Sequence, residues 1–336
     1  MPRKIREKQL SLQQMARMRA ARRPRATDAG IPIDAESLGP EEEGRVVAHF
    51  GLNIEVETET RERFRCAVRE SLLDDPVCGD RVVWRRVGAE QGVIVSVHAR
   101  QSVLRRPGPY QRLLTMAANV DRIVVVSAAA TFNTGLVDRY LVAAQKVGIE
   151  PILVINKIDR MTDAATLEAA LWPYPRMGYS LFWVSALQDS GMAHLEEALR
   201  DRTAIFVGES GVGKSSLINR MVPDACSRTA EVHAATGLGR HATTTARLHR
   251  LAGGGFLIDS PGVREFGLHG VIREEIPGLM RDMAPCLGQC RFKDCRHLHE
   301  PDCALRTAVE TGKIAAARLE SMRRILESVP PRNPYF

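Results

Sequence analysis

Asn156-Lys157-Ile158-Asp159 precedes Gly208-Glu209-Ser210-Gly211-Val212-Gly213-Lys214-Ser215 in this 336-residue chain, and that order constrains the fold more than any other feature. The second segment fits GxxxxGK[ST]. It follows the apolar run Ala204-Ile205-Phe206-Val207 and leads into Ser216-Leu217-Ile218-Asn219, the strand, loop and helix context in which such a loop cradles phosphates. Its glycines let backbone N–H groups wrap the anion, and the helix N-terminus favours negative charge. Lys214 would reach the β and γ oxygens, with Ser215 offering its hydroxyl to Mg²⁺. The first segment closes another apolar run, Pro151 to Ile155. A carboxylate at Asp159 can accept from both N1–H and the 2-amino group of guanine, a pair that adenine lacks, while Asn156 would hold the loop around it. A base-reading segment ahead of the phosphate loop reverses the usual order, so the sequence predicts a circularly permuted GTPase whose nucleotide site stays whole.

The remaining parts of that site follow from strand ends. Ser185-Ala186-Leu187 closes the next strand candidate and supplies a small loop whose backbone can touch guanine O6. Asp259-Ser260-Pro261-Gly262 closes Gly255 to Ile258 and matches DxxG: Asp259 would hold Mg²⁺ through water, and the Gly262 N–H would sense the γ-phosphate. Upstream lies Gly239-Arg240-His241-Ala242-Thr243-Thr244-Thr245, where Thr243 or Thr244 would complete the metal shell; the sequence does not choose between them. Position 263 is Val, so the glutamine that orients the attacking water in Ras-like enzymes is missing. His241 is the candidate to stand in for it as a catalytic residue beside Lys214; its other reading is a solvated loop histidine.

Texture along the chain sets the fold class, multidomain α/β. Residues 1–43 read as a basic arm and linker: the first 25 hold nine Lys or Arg against one Glu, so the chain's net charge of +7 is concentrated there. Such an arm points to a polyanion, and its lack of aromatic anchors favours nucleic acid over membrane. Residues 44–107 carry five short alternating segments, which predict a small β-barrel of the OB type, a form that often grips RNA; a plain structural barrel has the same pattern. Residues 108–269 alternate apolar strands with helices, the pattern of a mainly parallel sheet covered on both faces. Residues 270–336 predict a small helical domain with a thin core, including a helix through Leu305, Ala308, Ile314, Leu319, Met322 and Ile325. No apolar run reaches bilayer length and the N-terminus lacks a secretory core, so the expected location is the cytoplasm.

Four of the seven cysteines, Cys286, Cys290, Cys295 and Cys303, crowd into eighteen residues beside His297 and His299. In a cytosolic chain this argues for metal before disulfides. Cys290, Cys295, His297 and Cys303 make a closed Cys3His set that suits one structural Zn²⁺, with Cys286 and His299 as spare donors.

With these residues in place, the chain closely resembles the bacterial ribosome small-subunit-dependent GTPase A family. The resemblance runs from about Gly44 to Cys303 and includes Cys78-Gly79-Asp80-Arg81-Val82, Ala117-Ala118-Asn119-Val120-Asp121 and Asp138-Arg139-Tyr140-Leu141. It implies an OB barrel, a permuted GTPase domain and a zinc domain, acting late in maturation of the small ribosomal subunit, with GTP hydrolysis stimulated by that particle. By motif it puts guanine contacts on Asn156, Lys157 and Asp159, with Ile158 among the nucleotide-binding residues, phosphate contacts on Gly208 to Ser216, and zinc on Cys290, Cys295, His297 and Cys303. The expected partners are the small subunit and its rRNA with GTP and GDP, no membrane, and a monomeric protein. Competing readings are a nucleotide-gated RNA-binding scaffold and a permuted GTPase of large-subunit assembly or tRNA handling.

Overall fold

The computed structural model describes residues 38–50, 53–69, 72, 75–108, 113–222, 246–259 and 266–330. Contacts divide the chain between Arg100 and Gln101. In the first part β1 (Glu41–Phe50), β2 (Asn53–Glu57), β3 (Arg63–Val68), β4 (Arg81–Val87) and β5 (Gln91–Val97) pair in the order β1-β2-β3-β5-β4, and β4 returns to β1. The sheet therefore closes on itself as a five-stranded barrel of OB type, with β3 and β5 parallel. β1 serves both neighbours: Glu41 to Arg45 face β4, and a bulge between Val46 and Ala48 bends the strand onto β2. Glu41-Glu42-Glu43, which show no period in the sequence, belong to this strand; Glu42 is paired with Arg86 (2.9 Å). The barrel is filled by Val46, Ile54, Val56, Phe64, Val82, Ile94 and the fully buried Trp84. Gly44 and Gly92 make room for that indole: a Cβ on Gly92 would lie 2.5 Å from Trp84 Cε3, and one on Gly44 would lie 2.4 Å from Val56 and 3.0 Å from Trp84 Nε1.

The second part starts with an antiparallel hairpin of β6 (Val103–Pro107) and β7 (Leu113–Ala118). The sheet that follows is built from β8 (Arg122–Ala128), β9 (Glu150–Asn156), β10 (Leu181–Trp183), β11 (Thr203–Val207), β12 (Arg247–Arg250) and β13 (Phe256–Asp259). Their order is β10-β9-β8-β11-β13-β12, all parallel except β12. Between them run α1 (Thr134–Val147), α2 (Ala164–Leu171), α3 (Pro173–Arg176), α4 (Met192–Ala198) and α5 (Lys214–Met221). Local chemistry sets the ends of α1: Asn133 Oδ1 accepts from Leu136 N (3.2 Å), and Gly148, at φ 69°, closes the C-terminus. Strand order reverses between β8 and β11, the switch point at which open parallel sheets bind ligands. β12 was not visible in the sequence, because Arg247-Leu248-His249-Arg250 has only one buried apolar residue.

The C-terminal region holds two short 3-10 segments (Arg273–Leu279 and Ala284–Cys286), α6 (Ala304–Glu310) and α7 (Ala316–Ser328). The single helix expected through Leu305 to Ile325 is thus two, broken at Gly312, whose φ of 72° ends α6. Its core is shared with the GTPase region, since Val142 of α1 joins Met280, Met283, Leu319, Met322 and Ile325. Buried within the same contact, Arg318 donates through Nε and Nη2 to both oxygens of Asp282 (2.9 Å each) and pairs through Nη1 with Asp138. Tyr174 Oη donates to Asp138 (2.8 Å). Among the described residues no helix is long and apolar enough to cross a membrane.

Candidate nucleotide site and metal centre

The sheet order brings the sequence-predicted segments to one end of the strands. Gly208 leaves β11 at φ 141°, and a Cβ there would sit 2.2 Å from the Val126 carbonyl oxygen, so glycine lets the loop lie against β8. Gly213, at φ 96°, is closed off in the same way by Asn156 Nδ2, 2.3 Å from where its Cβ would be. α5 then begins at Lys214, with exposed Ser215 and Ser216 in its first turn. β13 pairs in register with β11, Ile258 beside Ile205, which brings Asp259 to the same edge as the phosphate loop.

Asn156, buried at the end of β9, ties these loops together. Its Nδ2 donates to the Val212 carbonyl (3.0 Å), and its Oδ1 accepts from Ala186 N (3.3 Å). Lys157, held at a left-handed φ of 61°, donates from Nζ to the Gly211 carbonyl (2.5 Å). Lys214 Nζ donates to the carbonyls of Gly208 (2.6 Å) and Glu209 (2.5 Å). Ser185 Oγ donates to Asp159 Oδ1 (2.5 Å) and accepts from Gln188 N (3.2 Å), so the hydroxyl fixes the carboxylate's rotamer. Sequence reasoning gave Ser185 only a backbone role; the hydroxyl beside an acidic base-reader was the available signal. Ile158 follows in a 3-10 turn whose N–H reaches the Val184 carbonyl (3.3 Å). His241, Thr243, Thr244 and Gly262, and the basic arm, lie outside the described residues.

The second cluster forms where Cys290 and Cys295 approach Cys303, which precedes α6. The donor atoms of Cys290, Cys295, His297 and Cys303 all lie within 4.8 Å of one another. His297 Nδ1 stands 3.5 Å from the Cys290 and Cys295 sulfurs and 3.4 Å from that of Cys303. Cys286 and His299, the spare donors, are not in this group, although Cys286 packs against the same C-terminal core as Cys290 and Cys295. Burial lowers the His297 pKa against the opposing pull of Glu300, which keeps the imidazole neutral and able to ligate. Burial, with the neighbouring thiols of Cys290 and Cys303, pushes the Cys295 thiol up to about 12. Converging thiols of this kind suit a metal cation that would hold them as thiolates. Glu300 shapes the turn: it accepts from the backbone N–H of Arg296 (2.9 Å), Leu298 (2.8 Å) and His299 (3.0 Å), and such bonds hold its carboxyl down at about 2.

A phosphate loop at the switch point and a base-reading loop stitched to it by Asn156, in permuted order, define a circularly permuted GTPase. The RsgA GTPase family model matches residues 97–269. A small ribosomal subunit biogenesis GTPase RsgA from Azotobacter vinelandii is 46% identical over 320 residues, covering 93% of each chain. One from Pseudomonas aeruginosa is 45% identical over 323 residues, covering 95% of this chain and 94% of that protein. Among solved structures, YjeQ from Thermotoga maritima superposes with a TM-score of 0.72 at 30% identity, over 88% of this chain and 100% of that one. YloQ, described as a circularly permuted GTPase, gives 0.70 at 26% identity over 88% and 98%. The chain belongs to the RsgA GTPase family, and its reaction is hydrolysis of GTP.

Proposed function

We propose that this GTPase acts in assembly of the small ribosomal subunit, docking in its triphosphate form and hydrolysing GTP when the particle stimulates it. The observation that carries the reading is the Asn156 bridge between Val212 and Ala186, which makes the phosphate and base loops one site. The small subunit as partner is argued from the names of relatives that share nearly the whole chain. Asp159, aimed by Ser185, reads guanine N1–H and the 2-amino group, and backbone at Ala186 meets O6. Lys157 lies over Gly211 and braces the loop that wraps the phosphates, Gly208 to Ser216. Lys214 exchanges its loop carbonyls for the β and γ oxygens, where its charge opposes the negative charge of the loose transition state. Ser215, Asp259 and one of Thr243 or Thr244 hold Mg²⁺, which when bound neutralises the β and γ oxygens. Gly262 senses the γ-phosphate. His241 positions the attacking water, since Val263 cannot accept or donate a proton.

The metal is one structural zinc on Cys290, Cys295, His297 and Cys303. Zinc–sulfur and zinc–nitrogen bonds of about 2.3 and 2.05 Å at a tetrahedral angle separate the two donors by about 3.5 Å. The observed 3.4 to 3.5 Å fits that spacing, and four protein donors leave no open position for chemistry. The barrel and the basic arm supply RNA contacts, and the protein works as a cytoplasmic monomer. Affinity for purified small subunits, measured at fixed salt, should be higher with a non-hydrolysable GTP analogue than with GDP. Equal affinities would leave the enzyme without the proposed switch.

A further inference from the structure

The segment Asp138-Arg139-Tyr140-Leu141 lies on α1, and its residues face different ways. Asp138 belongs to the buried network with Arg318, whereas Tyr140 turns with Asn133, Leu136 and Val137 towards the phosphate loop. That spacing, i, i+3, i+4 and i+7, is one face of a helix. These side chains meet Glu209 and Val212 across a cavity of about 10 Å³, room for one water at most, so the outer side of the loop is packed against α1. Tyr140 touches a second partner as well. Its ring is stacked on that of Phe266, with centroids 6.4 Å apart and planes 7° from parallel. Phe266 is buried, 6% exposed, and follows Asp259 in the chain. Burial, and then the negative charge of Glu209, raise the Tyr140 pKa, which puts that carboxylate of the phosphate loop near the phenol. One half-buried tyrosine on a capped helix thus stands between the phosphate loop and the chain that leaves β13.

We propose that Tyr140 is a positioning residue for GTP hydrolysis: it seats Phe266 and thereby fixes, relative to the phosphate loop, the chain that leaves β13 at Asp259. The strand holds one end of that chain, because Asp259 is paired with Arg247 of β12. The stack holds the other. A segment tied at both ends has fewer conformations to lose when the γ-phosphate is bound, and the groups it brings are better aligned for the reaction. GDP lacks the γ-phosphate, so its binding draws nothing from the stack. α1 suits this role since its own position is set twice over, by the Asn133 cap and by the ion network at Asp138. The inference rests on the γ-phosphate roles given above to Asp259 and Gly262, not on the ribosomal partner.

The test uses the full chain without ribosomal particles, with GTP for turnover and with GDP and guanosine 5′-(β,γ-imido)triphosphate for affinity. Tyr140→Ala should lower kcat by about tenfold or more, inside the roughly 10²-fold that a displacement of about 1 Å can cost. It should weaken binding of the imido analogue and leave GDP affinity unchanged. Tyr140→Phe keeps the ring and should turn over like the parent, while Tyr140→Leu keeps apolar bulk without a flat face and should resemble Tyr140→Ala. Phe266→Leu should lose as much as Tyr140→Leu, and the double variant should be no worse than either alone, the signature of one shared contact. Parental turnover in Tyr140→Ala, equal losses of GDP and analogue, additive losses in the double variant, or a Tyr140→Phe as slow as Tyr140→Ala would overturn the proposal, the last by moving the role to the hydroxyl near Glu209. Slow turnover in Tyr140→Ala beside parental turnover in Asp259→Asn would uphold the positioning role and remove the metal role of Asp259 alone.

Discussion

Replacing Arg318 with Met should destabilise the second part of the molecule by about 3–5 kcal/mol, the usual cost of removing one partner from a buried ion network. Arg318 is 2% exposed, Asp138 0% and Asp282 9%, so both carboxylates would lose their cation with almost no access to water. Met keeps the packing of the Arg stem, which confines the change to charge and hydrogen bonds. Burial already raises the Asp138 pKa, with Arg318 pulling it back. Without that cation its folded value rises further above the unfolded one. An acid raised in this way is fully tolerated below its unfolded pKa and costs stability as pH climbs through the folded value. The deficit of Arg318→Met, read from urea unfolding midpoints, should therefore be larger at pH 8 than at pH 5. A companion carrying Asp138→Leu, Asp282→Leu, Arg318→Met and Tyr174→Phe removes both carboxylates, the guanidinium and the phenol hydroxyl, and should recover most of the loss. A deficit below about 1 kcal/mol, or one that does not grow with pH, would refute the electrostatic account of this contact.

Three further outcomes follow from the sites. Asp159→Asn should weaken GTP binding on the order of 100-fold and favour xanthosine triphosphate, because two bonds to a charged acceptor are lost; competition against a fluorescent nucleotide reads both, and unchanged GTP affinity would exclude the base-reading role. His241→Ala should keep GTP binding yet lose most of the turnover stimulated by small subunits, measured as phosphate release; equal turnover would leave the particle as sole supplier of the water-positioning group. Glu300 titrates at about 2, below an ordinary carboxylate, so its support of the metal turn is complete above the unfolded value and fades as pH falls towards 2; Glu300→Gln should retain metal less well at neutral pH in a chelator competition, and wild-type retention there would show that the turn stands without the carboxylate.

Much of the fold was legible because chemistry restricts the residues. Apolar runs such as Pro151 to Ile155 announce buried parallel strands, and a phosphate loop needs glycine where Val126 and Asn156 press against the backbone. Residues 45 to 97 alternate clearly enough to give five strands, although closure of the barrel depends on β1 pairing with both β2 and β4. Less visible were elements whose pattern is set by distant neighbours. β12 is mostly polar, and the acidic start of β1 is stabilised by Arg86, far along the chain. The network of Asp138, Arg318 and Asp282 joins two helices and a turn that are far apart in the chain; its one local sign is an arginine on the apolar face of α7, a turn before Met322. At the metal centre, spacing left Cys286 and His299 as alternatives, and only the convergence of four donor atoms on one point separates them from the ligand set.

Turnover of GTP by the full chain, compared without particles, with small subunits and with large subunits at matched concentration, tests the central claim most directly. A positioned acid or base group is worth roughly 10²–10⁴ in rate, so small subunits that order His241 should raise turnover on the order of 100-fold or more. Large subunits should leave it near the basal rate. Equal turnover in all three conditions, or stimulation by large subunits instead, would contradict the account.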